Sequence, residues 1–366
     1  MNCKRILFLS PNLGSGGAER QMVTIASLFK DKGYDVEFLC YSEGNFYEHI
    51  LKDKGITVHW IIQSNYLKRM FTVRRFIRKG GYNAIVSFLQ TPNFLNNFAA
   101  VGGKKWKVII GKRSIMDKNT FSKRGKFFIW FQRYSDAIVC NSENVKGMWL
   151  RYYPRYKNKL RVIYNTVVLH SVSTEYIPKR DGRLYIVVAA SYQYLKNPIG
   201  VVNALALMNN EEREKIRIDW YGRKEVVRGD TRAYDEAIEL IKQHGLGDVI
   251  ELHEDTKDIH SRMHEADMIG LFSSNEGLPN AICEGMSLGK PVIMSKVSDY
   301  DVLIDESNGF LCDWDSAESI RDVFIKASSL TIDKLVQMGE CSRHKAERLF
   351  ENASVIDKWI DVVNSD

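Results

Sequence analysis

No run of about 18 apolar residues occurs in the 366-residue chain, so nothing in it reads as a membrane-spanning helix. The opening MNCKRILFLSPN turns polar too early for a signal peptide. Six cysteines (Cys3, Cys40, Cys140, Cys283, Cys312, Cys341) are scattered and form no C-x-x-C pair, which speaks against a zinc site or a disulfide framework and for a reducing cytoplasm. The glycine-rich turn after the first apolar run lacks the dinucleotide pattern G-x-G-x-x-G, because position 19 is Glu. Negative charge is scarce in one half only. Residues 1–170 hold 29 Lys and Arg against 10 Asp and Glu, while the rest holds 23 against 35. A balance of +19 against −12 suggests that the first half meets something anionic and that the second does not.

The length suits two domains. Short β-branched or aromatic runs predict strands at Arg5–Ser10, Asp35–Tyr41, Ile56–Ile61, Ala84–Phe88, Lys107–Gly111, Ala137–Cys140 and Leu160–Ile163. A second series follows at Leu184–Ala189, Ile216–Tyr221, Val249–His253, Met268–Phe272, Pro291–Met294 and Gly309–Cys312. Amphipathic stretches lie between them, among them Ala18–Lys30, Asn197–Met208 and Asp230–His244. This alternation predicts an α/β fold of two parallel sheets covered by helices, with ligands at the carboxyl ends of the strands. The chain divides into 1–170, 171–350 and a terminal helical segment, 351–366.

The densest chemistry is in residues 271–291, LFSSNEGLPNAICEGMSLGKP. An apolar strand runs into a tight turn and then a helix predicted from Pro279 to Leu288, with Gly289 past its end. Free N–H groups at such a helix start suit an anion. Glu276 lies in the turn, and Glu284 lies about one and a half turns into the helix. One phosphate and two sets of hydroxyls could be held together, the layout of a nucleotide-sugar. The alternative is a capping Glu276 and a solvated Glu284.

The string SSNEGLPNAICEGMSLGKPVI closely resembles the signature of retaining GT-B glycosyltransferases of family 4. The resemblance implies two Rossmann-like domains facing across a cleft, with the terminal helix packing back on the first. It implies that Glu276 contacts the donor sugar, that the turn Gly277-Leu278-Pro279-Asn280 presents amides to the diphosphate, and that Glu284 holds the ribose. The segment Ser10–Arg20 resembles the family's GGAER-type loop, which puts Gly16 and Gly17 near the donor phosphates; glycine there allows positive φ and close approach. At Ser191-Tyr-Gln-Tyr-Leu-Lys196 the family has an Arg five residues before a Lys. Lys196 matches the Lys, but Ser191 stands where Arg is expected, so another cation, Arg223 or Arg113, has to reach the diphosphate. N–H groups and Lys can stabilise a leaving diphosphate without a metal, so no metal and no cofactor are expected. The nucleotide diphosphate sugar, with UDP the default, is a substrate.

Two basic stretches mix cations with bulky apolar residues: Tyr66–Lys79, and Lys104–Arg133 with Lys112 and Arg113. They suggest an acceptor that carries a phosphate, a glycan or lipid-diphosphate-linked glycan, and peripheral contact with an anionic membrane surface at the inner face. Ordinary amphipathic helices with solvated basic faces would read the same way. A nucleic-acid-binding protein would explain the basic half but not the acidic half or the 271–291 segment, so no nucleic acid is expected. A GT-B-like nucleotide-sugar epimerase would share the whole architecture and need no acceptor.

Overall fold

The computed structural model describes residues 4–114, 116, 118–167, 181–225 and 229–365, so the expected domain boundary at 170/171 lies outside the described residues. Two sheets, parallel throughout, carry the fold. The first runs β3-β2-β1-β4-β5-β6-β7. Its strands are β1 Arg5–Ser10, β2 Asp35–Cys40, β3 Thr57–Trp60, β4 Ala84–Ser87, β5 Lys107–Lys112, β6 Ala137–Cys140 and β7 Leu160–Val162. The second runs β10-β9-β8-β11-β12-β13. It comprises β8 Leu184–Ala189, β9 Ile216–Tyr221, β10 Ile250–His253, β11 Met268–Leu271, β12 Val292–Ser295 and β13 Gly309–Cys312.

These strands form because short β-branched runs, buried on both faces, satisfy their backbone in a parallel ladder while helices cover the sheet. β4 reads AIVS and β6 reads AIVC, and every residue in both is buried. In each sheet the order reverses at one point, between β1 and β4 and between β8 and β11. Ligands of open α/β sheets bind outside the carboxyl ends of the strands at such a reversal.

One compact unit is Met1–Thr166 with Asn352–Asp366, and the other is Val167–Glu351. The terminal helix Asn352–Asn364 buries Val355, Ile356, Trp359, Val362 and Val363 in the same core as Phe8, Phe29 and Phe38. Trp359 is fully buried and lies 6.0 Å from the Phe88 ring.

The helix Tyr66–Lys79 packs Val73 and Ile77 into the sheet. Arg74 donates to the carbonyls of Phe98, Ala99 and Val101, and Arg78 to those of Ala99, Val101 and Gly103. Both guanidinium groups therefore close the C-terminus of the helix Gln90–Ala100, where cations are favoured. Of the cations in 66–79, Lys68, Arg75 and Lys79 are exposed, while Arg74 is committed to the fold.

Among the described residues, no helix is long and apolar enough to cross a membrane. Cys40, Cys140, Cys283, Cys312 and Cys341 are unpaired.

Candidate active site

At the reversal between β8 and β11, the loops after the two strands bring Lys196 and Glu276 into direct contact. The Lys196 ammonium pairs with Glu276 Oε1, which also accepts from Ser273 Oγ at 2.7 Å. Both side chains are mostly buried. The sequence assigned the two residues to different parts of one ligand, and the fold places them side by side. The Glu276 loop is fixed by its neighbours: Ser274 N donates to Leu195 O at 2.8 Å, Ser295 Oγ to Ser273 O at 2.6 Å and Ser298 Oγ to Gly277 O at 2.6 Å. Leu278 is buried under this turn.

The following helix runs Asn280–Ser287, with Pro279 at its N-cap rather than inside its first turn and Gly289 at φ +70° just past its end. Pro279 has no N–H to offer, so the turn has one amide fewer than its length suggests. Gly285 allows the helix to lie against β11, since a Cβ there would sit 2.6 Å from Ile269 Cγ1. Glu284 is mostly buried, and His260 Nε2, on the helix Ile259–Glu265, lies 3.3 Å from its Oε2. His260 was not singled out from sequence.

Ser191, Lys196 and Arg223 line one open cavity of about 360 Å³ with Tyr221, Gly222 and Thr256. Its size is that of a small-molecule site. Ser191 Oγ accepts from Gln193 Nε2 at 2.9 Å. Gly222 is required by space, because a Cβ there would lie 2.0 Å from the Ala190 carbonyl. Gly222, Asp255 and Thr256, which follow β9 and β10, went unremarked in the sequence, and Tyr221 was read only as the end of a strand. Tyr221 stacks on His253 at 4.6 Å and 15°.

In the other unit, Ser10 ends β1 and Gly16 caps the helix Gly17–Asp31. Neither Gly14, Gly16 nor Gly17 takes positive φ, which corrects that part of the sequence reading. Gly16 has φ −72° and leaves room for Glu19, whose Oε2 would lie 2.3 Å from a Cβ at 16.

β5 ends in Lys112, and Arg113 follows. The buried asparagines of the 90–100 helix hold this strand end: Asn93 Nδ2 donates to Gly111 O at 3.0 Å, and Asn93 Oδ1 accepts from Ser87 Oγ at 2.9 Å. Lys112 lies over the Trp149 ring at 4.5 Å. Arg113 lies over Phe88 at 4.0 Å and Trp359 at 5.6 Å and donates to Asn165 Oδ1 at 2.9 Å. Its Nε and Nη2 are buried without a hydrogen bond, as is Asn141 Oδ1 beside it. Among the described residues no carboxylate pairs with either cation. Unpartnered buried donors of this kind fit an anionic group.

Burial pulls the Lys112 ammonium down to about 8 from 10.5. Between these values the unfolded chain holds more protons than the folded one. The charged form therefore costs stability below pH 8, and that cost fades as pH rises toward 10.5. Lys112→Met is expected to flatten the rise in denaturation midpoint between pH 7.5 and 9.5. Equal slopes in the two proteins would mean that Lys112 is solvated.

The chain has two D-x-D triplets, Asp299-Tyr-Asp301 and Asp313-Trp-Asp315. Among the described residues neither belongs to a group of three possible metal ligands; Asp313 pairs with Lys296 at 2.9 Å. Among the described residues the one group within metal-ligand range is Asp219, Glu251 and His253, and Arg217 pairs with both carboxylates there.

Two family models match the chain in succession: Glycosyltransferase Family 4 over residues 15–171, and Glycosyl transferases group 1 over residues 174–345. A GalNAc-alpha-(1->4)-GalNAc-alpha-(1->3)-diNAcBac-PP-undecaprenol alpha-1,4-N-acetyl-D-galactosaminyltransferase of Campylobacter jejuni is 24% identical, over 98% of each chain. The amylovoran biosynthesis glycosyltransferase AmsD of Erwinia amylovora is 20% identical, over 99% of each. The crystal structure of HepE from Anabaena, solved with UDP and glucose, superposes with a TM-score of 0.83 at 18% identity, covering 99% of this chain and 100% of that one.

Proposed function

The chain belongs to the family 4, group 1 glycosyltransferases of GT-B fold, and from that premise we propose that it moves a hexose or N-acetylhexosamine from a UDP-sugar to a glycan or lipid-diphosphate-linked glycan in surface polysaccharide synthesis, with retention of configuration. The observation that carries this reading is the Lys196–Glu276 pair at the β8/β11 reversal, beside the cavity lined by Ser191 and Arg223. The relatives from Campylobacter and Erwinia support the acceptor class, and the UDP-bound neighbour supports the nucleotide.

In this reading the diphosphate lies against the turn 277–280 and the Lys196 ammonium, and Arg223 supplies the charge that Ser191 does not. The ribose hydroxyls meet Glu284, which His260 orients, and Glu276 meets the sugar. The bond from the anomeric carbon to the diphosphate oxygen breaks and a bond to the acceptor hydroxyl forms on the same face. The acceptor proton passes to the departing phosphate. Fixed cations and N–H groups stabilise the negative charge that builds there. Lys112 and Arg113, in the first unit, serve the phosphate-bearing acceptor. That unit contacts the inner face of the membrane.

A thermal-shift panel of UDP, GDP and their sugars tests the reading. A ligand at 100 times its dissociation constant adds about 2.7 kcal/mol. No shift with any of them would sink it. Glu284→Ala is expected to raise KM for the donor with kcat little changed, since a ribose contact is equal in ground and transition states. An unchanged KM with a collapsed kcat would remove Glu284 from the ribose.

A further inference from the structure

The first unit has an apolar groove lined by none of the residues assigned to the transfer. Tyr66, Leu67 and Met70 form one wall, Phe94 and Phe98 the floor, and Phe127 with its neighbours on the helix Lys123–Phe131 the other wall. Its volume is about 630 Å³. Phe94 stacks on Phe128 at 4.3 Å and 12°. Leu67 and Phe127 in the lining are 61% and 51% exposed; beside it the exposed Phe71 lies 5.7 Å from the Phe98 ring and the exposed Trp130 5.2 Å from the Phe131 ring. Isolated exposed apolar residues are ordinary, but a continuous patch with a concave floor marks a binding surface.

Two properties of the rim identify the occupant. Tyr66 and Arg124 are the only polar residues in the lining, so a sugar or nucleotide would find almost nothing to bond. The one charge in the lining, Arg124, is a cation, and the two helices that wall the groove carry no charge of the other sign. Neither the 66–79 helix nor residues 118–134 contain an Asp or Glu. Lys68, Arg75, Lys123, Arg124 and Lys126 are exposed and have no ion-pair partner among the described residues.

We propose that this groove takes one hydrocarbon chain of an anionic phospholipid, with the lipid phosphate on the cationic rim. This rests on the membrane contact proposed above and makes it specific: the unit docks by burying an acyl chain as well as by charge. A second copy of the chain is disfavoured, because a two-fold contact here would set two cationic rims against each other. The +19 balance extends over the whole of residues 1–170, which suits an extended anionic surface better than a small acidic partner.

The test uses the full chain and phosphatidylglycerol–phosphatidylcholine vesicles with bromine in mid-chain. The Trp130 contribution to the emission is obtained by subtracting the spectrum of Trp130→Phe. At low salt the brominated chains are expected to quench the Trp130 component. Phe127→Ser, at a half-exposed position whose loss should spare the fold, is expected to weaken vesicle binding about tenfold and abolish the quenching. Lys68→Ser with Arg75→Ser should weaken binding in low salt but leave residual quenching; unlike Arg74, these two side chains are not committed to the 90–100 helix. Binding without Trp130 quenching would overturn the groove assignment and leave a charge-only membrane contact. No binding to anionic vesicles would overturn both. A dimer in gel filtration that Phe127→Ser dissociates would give the groove to a second copy. The UDP thermal shift is read separately, so failure here leaves the transferase reading intact.

Discussion

Lys196→Ala and Glu276→Gln are each expected to lower kcat by about 10² or more, with a smaller change in KM. Glu276 is mostly buried, and Lys196 supplies its positive partner while Ser273 Oγ adds a hydrogen bond at 2.7 Å. Removing the ammonium leaves the carboxylate without its cation and the leaving diphosphate with one cation fewer. Because the pair acts as a unit, the double variant should lose much less than the product of the two single losses. Near-normal turnover of a folded single variant would remove that residue from the site. Losses that multiply would mean that the two side chains work independently, despite their contact.

Arg113→Met should separate activity from stability. The guanidinium keeps its charge because arginine does not lose its proton in proteins. It lies among Phe88 and Trp359 with two nitrogens unbonded. A neutral side chain of similar length keeps the ring contacts and removes the buried, uncompensated charge, a change worth about 1 kcal/mol or more of stability. For a unit of this size that raises the midpoint by about 2–4 °C. The same change removes the cation proposed for a phosphate-bearing acceptor, and kcat/KM for that acceptor is expected to fall by about 10². Donor binding, read by UDP thermal shift, should stay the same. A variant that is less stable and fully active would show Arg113 to be a structural residue.

The strands were almost wholly legible in the sequence, since β1, β6, β8, β9 and β13 run between the residues expected. Parallel, doubly covered strands are short apolar runs flanked by polar turns, so their ends are sharp. The Lys196–Glu276 contact was not legible, because the two residues lie 80 apart and meet only because β8 and β11 are neighbours. His260 beside Glu284 was hidden for the same reason. Gly222 and Thr256 could have been found by marking the residues that follow each strand of the second sheet, and Tyr221 by marking each strand's last residue. The basic helix misled differently. Sequence counts Arg74 and Arg78 as surface charge, and only the three-dimensional position of the carbonyls from Phe98 to Gly103 shows where they are used.

The last helix of the chain has a consequence for synthesis. Val355, Ile356 and Trp359 belong to the core of the unit formed by the first 166 residues. That unit leaves the ribosome first, yet its core stays open until residues 352–364 have been made. Phe88 and the Arg113 cation then remain uncovered for most of translation, with a second, independent core forming in between. Chains that end before residue 352 should therefore expose a wet, basic hydrophobic face and be retained by chaperones.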